Sequence, residues 1–293
     1  MSLARVLLLT TLAMLAFAAN SLLCRLALRE TGIDAASFTT IRLASGALML
    51  WLVVRLRGGS AHTGGSADHP PHGSWASALA LFAYAAAFSF AYRTLPAGAG
   101  ALLLFGAVQA TMIGYGLWRG ERLGARQSAG MALAAAGLVG LLLPGLSAPP
   151  LQGAVLMLAS GVAWGVYSLR GRGVANPAAS TAGNFLRAVP FALALSLAQL
   201  SSASVDAAGA AGAAYAVASG ALASGLGYAL WYGALPLLRA TSAATVQLSV
   251  PVLAALGAAA FLGEAITLRL MLASLAVLGG IALVIRSPRR ASR

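Results

Sequence analysis

The chain has 293 residues, 60% of them hydrophobic and only 9% charged, with a mean hydropathy of +0.86; a soluble domain carries about 25% charged residues, so an ordinary soluble fold is excluded. The formal net charge is +13, but all 19 basic residues are arginines gathered mostly at the ends of apolar runs, which reads as membrane topology and not as a nucleic-acid footprint. A single cysteine, Cys24, excludes an intrachain disulfide and is expected to be a packing residue.

An apolar helix needs about 20 residues to cross the hydrocarbon core. Ten runs qualify, predicted at 3–23, 35–54, 75–92, 95–117, 127–143, 151–169, 178–198, 210–232, 240–262 and 267–285. The first resembles a signal peptide, with Arg5 before an apolar run and Ala16-Phe17-Ala18 as a cleavage-like site. It also aligns without a gap on residues 154–170 in mid-chain, so it is expected to be retained as a span. Residues 55–74, RLRGGSAHTGGSADHPPHGS, have no apolar periodicity and predict a cytoplasmic loop. That loop holds His62, His69 and His72, but Gly, Ser and Pro do not supply the fixed geometry a metal needs, so no metal site is expected. Residues 144–150 are the linker between the two halves, on the outer side.

With the N-terminus inside, thirteen arginines fall on the cytoplasmic face (Arg5, Arg55, Arg57, Arg119, Arg122, Arg126, Arg170, Arg172, Arg239, Arg286, Arg289, Arg290 and Arg293) and four on the other (Arg25, Arg29, Arg93 and Arg269). The positive-inside rule therefore places both termini in the cytoplasm of a multi-pass bacterial inner-membrane protein.

The chain contains one unit twice. Gly120-Glu121 falls on Gly263-Glu264 at an offset of 143, Tyr92 and Leu95-Pro96 on Tyr232 and Leu235-Pro236 at 140, and Arg25 and Arg42 on Arg170 and Arg187 at 145. The expected fold is an all-α polytopic membrane protein of ten transmembrane helices, with five-helix repeats at 1–145 and 146–293. Five is odd, so the second copy must be inverted in the bilayer, giving a pseudo-two-fold axis in the membrane plane and a shared site near its middle.

Two tandem five-helix units, each with a Gly-Glu turn (Gly120-Glu121, Gly263-Glu264) after its fourth helix and a Gly/Ala-rich fifth helix, resemble the EamA-type branch of the drug/metabolite transporter (DMT) superfamily. The resemblance covers essentially the whole chain, and within the superfamily it is strongest to bacterial aromatic amino-acid exporters of the YddG type. It implies an inner-membrane exporter of amino acids.

Polar and aromatic side chains within spans are the candidates for substrate contact, because an unpaired polar group in hydrocarbon is turned to the interior. Tyr84, Phe88 and Tyr92 share one helical face of the third span, as Ser224, Tyr228 and Tyr232 do in the eighth and Ser160, Trp164 and Tyr167 in the sixth. With Phe17 and Asn20 in the first span, and Gln109, Gln247 and Ser249 in the fourth and ninth, they predict an aromatic-walled cavity with a few uncharged hydrogen-bonding groups. Tyr92, Trp231 and Tyr232 lie near span ends and are expected in the interfacial belt instead. Asn20, Gln109 and Gln247 have an alternative role, bonding a neighbouring helix. Gly161, Gly165, Gly137, Gly140, Gly279 and Gly280 are expected at close helix contacts.

Arg42 and Arg187 are the charges well inside spans. Each has two readings: recognition of a substrate carboxylate, or snorkelling to its own membrane face and to helix-end carbonyls, and the second is the expectation. Glu121 and Glu264 are expected to be turn residues that stabilise the start of the following helix.

The expected function is export of neutral amino acids, aromatic or otherwise apolar, by alternating access. No cofactor is implied, the partners are the small-molecule substrate and the lipid bilayer, and ten spans can bury their glycine-rich faces within a monomer. An embedded enzyme is disfavoured because no span contains His, Asp or Glu. For the same reason a uniporter is expected; the alternative is a drug or metabolite exporter driven by proton antiport.

Overall fold

The computed structural model describes residues 3–58, 73–120, 122–145, 148–199, 209–238 and 246–286. His62, His69, His72 and Glu121 lie outside them, so the expectations for the histidine loop and the first Gly-Glu turn do too. Among the described residues there is no strand, and the helices are α1 (Leu3–Glu30), α2 (Ala35–Gly58), α3 (Trp75–Tyr92), α4 (Ala97–Trp118), α5 (Ala125–Leu142), α6 (Leu151–Arg170), α7 (Pro177–Gln199), α8 (Ala210–Leu237), α9 (Ser249–Leu262) and α10 (Leu268–Arg286). Nine of these are long and apolar enough to cross a membrane, and α9 is a shorter apolar helix within the ninth predicted run.

Local chemistry sets the helix ends. Asp34 starts α2 by accepting the N–H groups of Ala36 and Ser37, both at 2.9 Å. Burial alone would raise the Asp34 pKa, but these bonds and the Ser37 hydroxyl outweigh it and hold the carboxyl below its usual value. The Ser74 hydroxyl caps α3 through Ser77 N–H, and α9 ends at Gly263, whose φ of 62° suits a residue without Cβ. α1 runs seven residues past its predicted end at 23, because nothing between Cys24 and Glu30 breaks a helix. Arg25 and Arg29 therefore stand on helix turns and not in a loop.

Helix pairing has the symmetry an inverted duplication requires. α2, α4 and α5 each pack against their own repeat mate, α7, α9 and α10. The pairs α3–α6, α4–α6 and α2–α8 have counterparts in α8–α1, α9–α1 and α7–α3. Exchanging the halves maps each of these pairs onto another of the set.

Glycines permit the closest of these approaches. Gly161 and Gly165 seat α6 on Leu104, Ala107 and Thr111 of α4, and Gly137 meets Ala276 and Val277 of α10. At the α5–α10 crossing a Cβ on Gly130 would stand 2.5 Å from the Gly280 carbonyl oxygen, and one on Gly280 would collide with the Gly130 carbonyl. Gly280→Val should therefore lower the thermal unfolding midpoint in detergent by several degrees, since overpacking costs about 1–3 kcal/mol. Gly279→Val, at an adjacent position whose added Cβ meets nothing within 4 Å, should leave it unchanged. Equal midpoints for the two variants would contradict the close crossing.

Candidate functional site

A cavity of about 1480 Å³ lies between the halves. It reaches the surface at Leu117, Arg172, Gly173 and Leu235, all exposed, where α4, α6 and α8 end. This is the end that carries Arg119, Arg122, Arg126 and Arg170. Its depth is lined by Phe17, Asn20 and Ser21 of α1, Phe88 of α3 and Phe105 of α4.

The wall is aromatic, and Trp164 is its hub. The indole stacks on Tyr228 with ring centroids 5.4 Å apart and planes at 16°. It also packs against Tyr84 at 4.8 Å and Tyr167 at 5.3 Å. Phe17 closes one flank against Tyr228 at 5.6 Å and Trp231 at 6.2 Å. Four helices, α1, α3, α6 and α8, thus present ring faces to one space. Such faces hold apolar and cationic groups by dispersion and by the ring quadrupole.

Polar groups punctuate the wall. The Ser219 hydroxyl donates to Asn20 Oδ1 at 2.6 Å, and Asn20 Nδ2 lies 3.4 Å from the Tyr84 hydroxyl oxygen. The same oxygen accepts Arg42 Nη2 at 2.9 Å. Nearer the mouth, Tyr167 bonds Thr181 and Asn184, and Thr181 bonds the Tyr232 hydroxyl. Ser219 and Ser224 belong to a π-helical stretch of α8, Ala218–Leu226, a rare conformation that is frequent at functional sites. Small residues there let α2 approach, since a Cβ on Gly220 would strike the Arg42 carbonyl and Ser45 Oγ.

The opposite end of the cavity is shut by an ion pair. Arg25 Nε meets Glu264 Oε1 at 2.9 Å, with both side chains about nine-tenths buried. Arg25 Nη1 also donates to the carbonyls of Tyr92 and Arg93, and Glu264 Oε2 accepts the Ala97 N–H at 2.7 Å. One carboxylate therefore ties α1 to the α3–α4 turn and the α9–α10 turn. The repeat mate of Arg25, Arg170, sits at the open end and instead donates to Ser77 Oγ at 3.0 Å.

Of the residues singled out from sequence, Phe17, Asn20, Tyr84, Phe88, Gln109, Trp164, Tyr167, Ser224, Tyr228 and Gln247 line the cavity. Ser160 and Ser249 do not. Ser160 is fully buried and donates to the Tyr84 carbonyl at 3.0 Å, fastening α6 to α3, while Ser249 spends its hydroxyl on the Val246 carbonyl. Tyr92 is not interfacial: it is fully buried and bonds the Ala97 carbonyl. Trp231 and Tyr232 also leave the interfacial belt and line the cavity, because α8 continues beyond them to Leu237. Thr181 and Asn184 line it as well; their signal was two polar residues three apart within one span. Glu264 caps α4 and not the helix that follows it.

The two intramembrane arginines differ. Arg187 donates to the Gly183 carbonyl of its own helix at 3.1 Å, inside α7 and not at a helix end. Arg42 is 1% exposed and does not snorkel. Its guanidinium carbon lies 5.2 Å from the Tyr84 ring centroid and 4.8 Å from that of Phe88, on the side of those rings that faces α2.

Comparison with known proteins agrees with the fold. Residues 151–286 match the EamA-like transporter family. The chain is 60% identical to the uncharacterized protein PA1977 of Pseudomonas aeruginosa over 291 residues, covering 99% of this chain and 98% of that protein. One solved crystal structure aligns with a TM-score of 0.66 at 21% identity, covering 94% of this chain and 96% of the other, which is a likeness of fold.

Proposed function

We propose, from the match of residues 151–286 to the EamA-like transporter family, that the chain is a membrane carrier of the drug/metabolite transporter superfamily and exports neutral amino acids with apolar or aromatic side chains. The observation that carries this reading is the Trp164 hub: four helices from both halves converge aromatic faces on one space, interrupted by uncharged hydrogen-bonding groups. Such a lining suits a small amphiphile with one apolar end and one polar end.

The arginine-rich open end is the cytoplasmic one under the positive-inside rule, with both termini on that side. The geometry is then that of a carrier open to the cytoplasm and latched outside by Arg25–Glu264. The halves 1–145 and 146–293 rock against each other about the shared site, and the mirrored helix pairing supports such a motion.

Transport is proposed to be uniport. The acidic residues among the described ones, Glu30, Asp34 and Glu264, sit at helix ends or between helices, so none stands beside the aromatic cluster to carry a proton. In liposomes holding the purified protein, labelled phenylalanine, leucine or methionine should equilibrate without a pH or sodium gradient, and an imposed gradient should not drive them uphill. Flux of lipophilic cations or nucleobases but no amino acid would refute the substrate class. Accumulation that a protonophore abolishes would refute uniport and favour the antiport alternative.

A further inference from the structure

We propose that Arg42 is the carboxylate-selecting group of the cavity, supplying the positive charge behind Tyr84 at which the substrate's carboxylate is held. The inference rests on reading the cavity as the transport site and narrows its substrate class to carboxylates.

Arg42 is a cation within a membrane span, and the structure compensates it only in part. Nη2 bonds the Tyr84 hydroxyl, while Nε and Nη1 are buried and have no hydrogen-bond partner among the described residues. The ion pairs described elsewhere are Arg25–Glu264 and Arg29–Glu30, and neither involves Arg42. The rings of Tyr84 and Phe88 soften the cost through their faces, but a quadrupole does not neutralise a full charge. A buried cation left this way favours an anion in the nearest space that can admit one.

That space is the cavity. Tyr84 and Phe88 stand between the guanidinium and the lumen, and both line it. The Tyr84 oxygen receives Arg42 Nη2 and faces the Asn20 amide, so both of its neighbours there are donors and its own proton is left to point elsewhere. A carboxylate that takes this proton gains a hydrogen bond from a phenol polarised by a guanidinium. The Ser224 hydroxyl, also buried, lining the cavity and without a hydrogen-bond partner among the described residues, offers a second donor. The repeat mate Arg187 is engaged with its own helix, so the two halves divide the labour unequally.

The test is binding to the full-length protein in detergent, followed by tryptophan fluorescence and by ligand-induced thermal shift. Four probes share one ring: L-phenylalanine, 3-phenylpropionate, L-phenylalaninamide and 2-phenylethylamine. The two carboxylates should bind the native protein at least about tenfold more tightly than the amide and the amine, the scale of one hydrogen bond to a charged group. Arg42→Gln should weaken the carboxylates by about tenfold to a hundredfold and move the other two less than about twofold, with part of the preference restored in Arg42→Lys. Should Arg42→Gln not fold, Tyr84→Phe provides the second arm, with the same loss of preference expected. Equal weakening of all four probes would assign Arg42 a structural role and overturn the proposal, as would a native protein that binds no carboxylate or shows no preference. Binding of 3-phenylpropionate without phenylalanine would uphold Arg42 and refute the amino-acid reading. Equal binding of phenylalanine and its amide would do the reverse.

Discussion

Glu264→Gln should unfasten the closed end of the cavity and tilt the carrier toward its outward-facing state. In a Cys24→Ser background carrying Ser21→Cys, a membrane-impermeant maleimide added outside should label position 21 at least about tenfold faster once Glu264 is glutamine. The magnitude follows from the geometry. Removing one partner of a buried ion pair costs about 3–5 kcal/mol, and the slight exposure of this pair lowers that to about 2 kcal/mol, a factor of about 30 in the balance between states. The pair spans both repeats, since the carboxylate also holds the Ala97 N–H and the guanidinium holds the Tyr92 and Arg93 carbonyls. Energy lost here is therefore lost from the closed end of the cavity and not from a single helix. Transport should slow as well, because each cycle must close that end again. Arg25→Met should behave alike, and combining it with Glu264→Gln should add little, as expected of two groups acting as one unit. Unchanged labelling in both single variants would show that the pair is ornamental to the cycle.

Trp164→Ala should cost bulky substrates about tenfold to a hundredfold in transport efficiency while leaving membrane insertion intact. Three aromatic contacts converge on this indole, at 4.8, 5.3 and 5.4 Å, each of a kind worth about 0.5–1.5 kcal/mol beyond area burial. Truncation removes the ring that the substrate would lie against and also frees Tyr84 and Tyr228 to move. Trp164→Phe should retain most of the function, since a flat face remains. Small substrates such as alanine should be least affected, because they reach fewer of the rings. Wild-type kinetics for phenylalanine in Trp164→Ala would mean that substrate passes elsewhere.

Much of this protein is determined by its sequence alone. Apolar run length and the arginine distribution are local quantities, so they identify a membrane protein and place the helices to within a few residues at most ends. Duplication is also written in one dimension: Arg25, Arg42 and Gly263-Glu264 have mates at near-constant offsets, and an odd number of spans per unit forces inversion. Helical periodicity was enough to name Tyr84, Phe88, Trp164, Tyr167 and Tyr228 as sharing inward faces, because the period of the helix decides which side chains point the same way.

What periodicity does not contain is depth along the helix and the identity of the helix opposite, and tertiary structure decided both. Ser160 and Tyr167 share a face of α6, yet Ser160 meets the α3 backbone and Tyr167 the lumen, since a face turned inward touches a neighbour at one level and a void at another. Trp231 and Tyr232 changed from belt to lining once α8 proved longer than its predicted run. Arg42 and Arg187 are equivalent in sequence, and only the π-helical α8 packed over α2, with the Tyr84 and Phe88 rings on the other side, leaves one guanidinium buried while the other reaches a carbonyl of its own helix. Glu264 finds Arg25 across 239 positions of chain, a separation over which no local pattern carries information and only the packing of α1 against α9 brings the charges together.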